Sequence, residues 1–444
     1  MKISVIGCGY LGAVHAASMA SLGHDVVGID VDEERIAKLA AGEPPFFEPQ
    51  FPELLEQGLA NNRLRFTTDF SQVSGARVHF VCVGTPQLTD GYGADISQVD
   101  AAMSAIMPHL GPHPDGPVVI VGKSTVPVGT AQRLQEWLER EADPAANATL
   151  VWNPEFLREG FGVVDTLTPD RIVYGLGASA HADTAAKVLD EVYADALASG
   201  IPRLKTDFAT AELVKVAANS FLATKISFIN AMAELCDVAG ADVTKLAEAI
   251  GLDERIGPKF LRAGLGFGGG CLPKDIRAFM ARAGELGADQ ALTFLREVDA
   301  INSRRRDAVV QILSHQFGGQ LSGARVTILG AAFKPGTDDV RDSPALEVAT
   351  RLKGLGADVV VTDPIALDNV RALHPELRAV EDLDAALHGA DAVALLTEWP
   401  EYKNMEPVHA IKQVVTPYIF DGRNVLDPQR WRSAGWQYRG FGRP

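Results

Sequence analysis

The apolar positions at the start of the chain change period twice. Ile3 to Ile6 is a short continuous apolar run, Ala13 to Leu22 carries apolar residues at helical spacing, and Asp25 to Asp30 returns to an extended run. This predicts a strand, a glycine turn, a helix and a second strand, the βαβ unit. Further strand-like runs at Val78 to Val83, Val118 to Gly122 and Leu150 to Asn153 alternate with helical stretches such as Gln132 to Glu141. Alternation of this kind predicts a doubly wound parallel sheet.

Between Pro202 and Gly240 there is neither glycine nor proline, and Val214, Ala217, Phe221, Ile229, Met232 and Leu235 recur at helical spacing. One long helix from about Asp207 to Ala239 is expected, roughly 50 Å at about 1.5 Å per residue. A helix of that length bridges domains or forms a subunit interface, so a homodimer or larger homo-oligomer held through it is expected. Near residue 325 the first pattern restarts, with strands at Arg325 to Leu329 and Asp358 to Thr362 around a helix at Ala345 to Leu355, then strands at Ala392 to Leu396 and Tyr418 to Asp421. The second copy carries Ala331, Ala332 and Phe333 where the first has glycines, so it should bind something other than the same dinucleotide. The predicted fold is α/β: two Rossmann-like doubly wound parallel sheets joined by a helical domain with one long central helix. The expected boundaries are 1–200, 201–305 and 306–444.

Length and composition agree with several domains. The 444 residues are 47% hydrophobic and 22% charged, ordinary for a soluble α/β enzyme. A net charge of −16 leaves no excess cation for a phosphate backbone or an anionic membrane, so neither nucleic acid nor membrane partners are expected. The first strand begins by Lys2 and no apolar run approaches a membrane span, which predicts a cytosolic protein. Cys8, Cys82, Cys236 and Cys271 show no metal-ligand spacing, and no metal is expected.

Two stretches carry chemistry. Gly7-Cys8-Gly9-Tyr10-Leu11-Gly12 follows a strand and opens a helix, and Asp30 ends the next strand 23 residues after Gly7. In that context Gly7 makes the tight turn, Gly9 admits a pyrophosphate, and Gly12 permits close helix packing, with Tyr10 and Leu11 beside the cofactor. A carboxylate at Asp30 would accept the adenosine ribose hydroxyls and repel a 2′-phosphate, favouring NAD, while Arg35 places a cation nearby. Two further segments follow sheet strands, one with Thr85 and one with Thr125, where such sheets bind ligands.

The second stretch, Gly264 to Asp275, has five glycines in the seven residues before Cys271, which stands just ahead of a helix expected near Pro273. A free thiol is only about 3% thiolate at pH 7, and bringing its pKa near 6 takes about 3.4 kcal/mol. A helix N-terminus supplies at most about 2, so Lys274, another cation or a base must contribute. The other three cysteines read as small buried apolar residues. Lys215 and Asn219, spaced i, i+4, could meet one substrate oxygen or could be ordinary polar positions. The segment 153–160 offers Glu155 and Glu159, either of which could be a base or a cofactor contact.

Taken together, the fingerprint at Gly7, STVPVGT from Ser124, NPEFLREG from Asn153, KVAANSFLATKISFIN from Lys215, RIGPKFL from Arg255, GFGGGCLPKD from Gly266, FKPGTDDVRDSP from Phe333 and DGRN from Asp421 resemble the UDP-glucose/GDP-mannose dehydrogenase family over essentially the whole chain. The resemblance implies two successive hydride transfers from the sugar C6 to NAD, with the aldehyde captured by a cysteine and released as the acid. It implies that Cys271 is the nucleophile, that Lys215 and Asn219 stabilise the C6 oxygen, that Asp275 and Thr125 hold the water or its proton path, and that Glu155 is the base for thioester hydrolysis. It further implies Glu159, Lys274 and Arg341 near NAD. Glu155, Phe156, Leu157, Phe260, Phe267, Gly268, Lys334 and Arg423 fall at the sugar nucleotide, with Arg255 reaching a neighbouring subunit's site. Gly270 stands where many relatives carry serine. RIGPKFL and the long helix look closer to the UDP-glucose branch, so UDP-glucose is favoured over UDP-N-acetylhexosamine and GDP-mannose. Two other classes remain: a β-hydroxyacid dehydrogenase, which needs no cysteine, and a non-catalytic NAD-sensing protein.

Overall fold

A computed structural model describes residues 1–444. The chain forms two compact units, Met1–Ala218 with Arg277–Gly287, and Asn219–Ile276 with Ala288–Pro444. The first unit is built on strands β1 (Lys2–Ile6), β2 (Asp25–Ile29), β3 (Leu64–Thr67), β4 (Val78–Val81), β5 (Val119–Gly122), β6 (Thr149–Trp152), β7 (Ile172–Leu176) and β8 (Arg203–Asp207). They lie in the order β3-β2-β1-β4-β5-β6-β7-β8. The first six reproduce the order typical of dinucleotide-binding sheets, in which the chain switches direction between β1 and β4 and leaves a crevice at their carboxyl ends.

These strands form because both faces are covered. β4, β5 and β6 are buried at every position. Their valine and isoleucine content is that of a parallel sheet with helices on both sides. Ile3, Val5, Val26 and Phe80 enter one core, while Ile6, Val27, Ile29 and Ile120 enter the other. Gly122 has a packing reason: a Cβ there would lie 2.1 Å from the Trp152 ring, so glycine admits the fully buried indole.

The structure corrects one sequence-based expectation. β7 pairs antiparallel with β6, and β8 runs parallel to β7, so the last two strands oppose the other six. A parallel neighbour would require a crossover returning the chain to the opposite edge. Here the chain instead stays at the carboxyl edge from Asn153 to Arg171 and re-enters the sheet directly. That keeps the whole NPEFLREG segment beside the crevice. The predicted strands also overran by one or two residues: Asp30 and Asn153 lie just past β2 and β6, where their N–H groups still reach the carbonyls of Thr67 and Gly122 on the neighbouring strands.

The second unit is built on β9 (Arg325–Leu329), β10 (Asp358–Thr362), β11 (Arg378–Ala379), β12 (Ala392–Leu395), β13 (Tyr418–Asp421) and β14 (Gln437–Gly440). Their order, β11-β10-β9-β12-β13-β14, repeats the first six strands, and every pair is parallel.

The long helix spans Phe208–Ala239. Asp207 starts it by accepting the Thr210 N–H at 2.8 Å, and Gly240, at φ +71°, ends it in the left-handed region. The helix passes from the first unit to the second between Ala218 and Asn219. Ile229, Ala233 and Cys236 enter the second unit's core, while Phe221, Phe228 and Leu235, seven residues apart, are exposed. No helix is long and apolar enough to cross a membrane.

Candidate active site

In the first unit the turn after β1 is shaped by its glycines. Gly7 has φ +88°, and a Cβ on Gly12 would lie 1.7 Å from the Gly7 carbonyl oxygen. Gly9, the N-cap of the helix Tyr10–Ser21, has open space around its missing Cβ and no side chain caps that helix. Unfilled amides facing open space are what a pyrophosphate requires, so the turn fits a dinucleotide.

Asp30 is buried, its Oδ2 accepting the Cys8 N–H at 2.7 Å and its Oδ1 the Asp32 N–H at 3.0 Å. A carboxylate has lone pairs left for ribose hydroxyls. Arg35 is held 3.1 Å from Asp30 and 3.0 Å from Asp32, so a 2′-phosphate would meet two carboxylates there. The loops after β4 and β5 are tied together, Thr85 donating to the Thr125 carbonyl at 2.8 Å and Ser124 to that of Val83 at 2.7 Å.

The segment after β6 meets the long helix at a buried ion pair. Lys215 Nζ lies 2.8 Å from Glu155 Oε1, both side chains largely buried. The other Glu155 oxygen accepts the Leu157 N–H. Phe156 packs beneath the Arg171 guanidinium at 3.7 Å, with Lys215 Nζ 5.8 Å from its ring. The segment is rooted by Asn153, which donates to the Val173 carbonyl and accepts from Lys123 at 3.1 Å and from Tyr193 at 2.7 Å. Burial pulls the Lys123 ammonium below its ordinary pKa, with Cys82 and Glu155 acting in the opposite direction.

In the second unit Cys271 is exposed and immediately precedes the helix Leu272–Glu285. The other three cysteines are buried, as expected, and burial pushes Cys82 up to about 12. One turn into the helix Asp275 is fully buried, accepting from Asn219 Nδ2 at 2.7 Å and pairing with Lys274 Nζ at 2.7 Å. Lys274 therefore shares its charge with a carboxylate. The glycines bring the loop against its neighbours: a Cβ on Gly266 would lie 2.3 Å from Asn302 Oδ1, and on Gly268 2.1 Å from the Asp342 carbonyl. A Cβ on Gly270 would lie 2.8 Å from the Arg341 guanidinium carbon, so the arginine fills the space a serine would need.

Three family models match in succession: the UDP-glucose/GDP-mannose dehydrogenase family NAD binding domain over residues 1–197, its central domain over 209–304, and its UDP binding domain over 327–428. The chain belongs to the UDP-glucose/GDP-mannose dehydrogenase family. It is 41% identical to UDP-glucose 6-dehydrogenase TuaD of Bacillus subtilis, over 100% of this chain and 93% of that protein. It is also 41% identical to UDP-glucose 6-dehydrogenase of Rhizobium meliloti over 100% of both. The solved structure of a UDP-glucose dehydrogenase from the hyperthermophilic archaeon Pyrobaculum islandicum superposes with a TM-score of 0.88 at 38% identity, over 100% of this chain and 98% of that one.

The remaining residues expected of a family member fall in several settings. Phe260 and Arg423 line one cavity of about 170 Å³ in the second unit, with Arg262, Gly264, Gly266 and Glu398. Phe260 holds φ +64°, a strained value for an aromatic residue and one seen at ligand sites. Arg423 donates to the carbonyls of Leu396, Gly266 and Phe333. Lys334 lies 5.5 Å from the Phe333 ring. The Phe267 side chain is buried, and its backbone pairs with Asn302. Arg255 is exposed and bonded to Asp253 in its own turn. Sequence reasoning missed Lys123, Glu48 and Glu212. The last is buried and accepts the N–H groups of Gly129 and Ala131, each at 2.7 Å, which fixes the STVPVGT turn. Lys123 left one signal, a charge closing the apolar run of β5.

Proposed function

We propose that this chain oxidises UDP-glucose to UDP-glucuronate with NAD, through a covalent intermediate on Cys271. The observation that carries the reading is the exposed Cys271 at the head of a helix whose first turn holds the buried Asp275–Asn219 pair, in a chain matching UDP-glucose 6-dehydrogenases end to end. NAD, when bound at the Gly7–Gly12 turn, accepts a hydride from C6 in each of two oxidations.

Every other step falls to side chains. As the C6 hydroxyl loses its proton, the Lys215 ammonium and the Asn219 amide donate to the developing oxyanion. That proton leaves through the water path held by Asp275 and Thr125. The Cys271 thiol then adds to the aldehyde carbon: the C–S bond forms as the carbonyl π bond opens, and the proton given up by the thiol ends on that oxygen. Loss of the second hydride and of that proton leaves a thioester. Glu155 takes a proton from water, whose oxygen attacks the thioester carbon; the C–S bond breaks and the thiolate leaves. Lys215, 2.8 Å from Glu155, pairs with that carboxylate and orients it.

We place Glu159, Lys274 and Arg341 at the cofactor and Phe260, Lys334 and Arg423 at the sugar nucleotide, with the working division 1–200, 201–305 and 306–444. We also assign a homodimer or larger homo-oligomer, supported by the exposed Phe221, Phe228 and Leu235 along one face of the long helix. The free state of all four cysteines supports a cytosolic setting. The decisive assay offers UDP-glucose, UDP-N-acetylhexosamine and GDP-mannose with NAD or NADP and counts reduced cofactor per sugar. Two NADH per UDP-glucose, with Cys271→Ser unable to sustain acid production, is expected. One NADH per sugar, or undiminished turnover of the serine variant, refutes the proposal.

A further inference from the structure

Glu48 lies in the irregular segment between the helices Glu33–Ala40 and Phe51–Ala60 and is 2% exposed. A buried carboxylate is costly unless its oxygens are satisfied. Here four donors converge. Oε2 accepts the Tyr10 hydroxyl at 2.5 Å and the Gly160 N–H at 2.7 Å; Oε1 accepts the N–H groups of Gly162 at 2.7 Å and Val163 at 3.4 Å. Burial and the Glu48 charge hold the Tyr10 hydroxyl protonated, so it remains a donor.

The partners join two parts of the site. Tyr10 is the middle of the dinucleotide fingerprint and the first residue of its helix, and its ring packs on Phe46 at 5.1 Å. Gly160 to Val163 close the segment that carries Glu155, Phe156, Leu157 and Glu159. That segment has no regular structure from Asn153 to Arg158. It is therefore held at two ends, by Asn153 at the sheet and by Glu48 at the helix Gly162–Leu167. Gly162 is fitted to the clasp, since a Cβ there would lie 2.6 Å from the Tyr10 hydroxyl.

We propose that Glu48 is a positioning residue for the oxidation: its carboxylate locks the segment bearing Glu155 and Glu159 to the fingerprint turn, so that those side chains stand in register with the dinucleotide. The inference rests on the roles given to Glu155 and Glu159 above. Both oxygens serve N–H or O–H donors, so Glu48→Gln sets an amide N–H₂ against donors whichever way it flips. Tyr10→Phe removes one donor and leaves the carboxylate in place.

The test measures KM for NAD, kcat and the melting temperature for Glu48→Gln, Tyr10→Phe, Glu155→Gln and the double variant Glu48→Gln/Glu155→Gln, with UDP-glucose binding measured by calorimetry without NAD. Glu48→Gln is expected to raise KM for NAD and lower kcat, each by about tenfold, the loss of one or two hydrogen bonds to a charged group. Tyr10→Phe should move KM for NAD the same way by about threefold with UDP-glucose binding unchanged. Because Glu48 acts through Glu155, the double variant should be no slower in kcat than Glu155→Gln alone. Wild-type kinetics in both Glu48→Gln and Tyr10→Phe, or full additivity in the double variant, overturns the inference. So does a common loss of UDP-glucose binding and melting temperature in Glu48→Gln with wild-type kinetics in Tyr10→Phe. Normal turnover of Glu155→Gln would instead sink the role assigned to Glu155.

Discussion

The first six strands of one sheet and the whole of the other share one strand order, yet they differ at the corner after the first strand. In the first, Asp30 follows β2 and faces a turn whose central glycine has open space around it. In the second, Asp363 holds the same place after β10, yet its carboxylate is consumed. Oδ2 accepts the N–H groups of Ala331 and Ala332 and the Trp399 indole, and Oδ1 accepts those of Ile365 and Ala366. The helix after β1 begins at Tyr10, whereas the one after β9 waits until Pro344. The intervening loop holds Phe333, Lys334 and Arg341. The same topology thus leaves an open turn after β1 in one unit and a stitched one after β9 in the other.

The strongest way to break this contrast is Gly12→Ala. The added methyl would lie 1.7 Å from the Gly7 carbonyl oxygen, backbone that cannot step aside. Overpacking at about 3 kcal/mol predicts at least a hundredfold weaker NAD binding by calorimetry, with UDP-glucose binding retained because the second sheet is untouched. Equal loss of both ligands would show that the two units do not divide the labour.

A smaller effect separates the two aspartates. Asp30→Asn should raise KM for NAD by about tenfold through weakened acceptance of the ribose hydroxyls, with little change in melting temperature. Asp363→Asn should do the reverse. Its amide nitrogen would oppose at least two of the five donors whichever way it flips, costing about 2 kcal/mol and several degrees of melting temperature, while KM for NAD stays put. A rise in KM for NAD in Asp363→Asn would mean that the second acid is not a scaffold group.

Much of this contrast is written locally in the chain. Glycines at 7, 9 and 12 answer backbone demands within one turn, so the cofactor corner and the five glycines before Cys271 were readable. The alanines at 331 and 332 correctly signalled a second sheet without a fingerprint. The reversal at β7 was not readable, because periodicity has no direction along the sheet. Glu48 escaped notice for another reason: its partners lie 38, 112, 114 and 115 residues away, and nothing in a lone glutamate before a proline announces a buried clasp. Lys123 likewise shows in the sequence only as a charge after an apolar run, yet its ammonium sits between Asn153 and Tyr193.

The contrast also has a sign in pH. The first unit buries two histidines: His79, bonded to Ser4, is pushed by burial down to about 3, and burial holds the His15 ring, packed on Phe80, well below its ordinary value. Both are neutral in the fold, and the unfolded chain takes up protons below about 6.5. Their contribution is therefore complete above that pH and is lost as pH falls toward the folded values. In the second unit the buried Asp421 has its pKa raised by burial, so its contribution is present at low pH and is lost as pH rises through the folded value. Glu212 pulls the first unit the same way, a single group against two histidines. Between about pH 6.5 and 5.5 the first unit should lose on the order of 1 kcal/mol while the second holds or gains. Hydrogen exchange checks this by sheet: amides of β1 and β4 should lose protection on acidification while those of β12 and β13 do not. Parallel loss in both sheets would show that the buried histidines do not govern the acid limb.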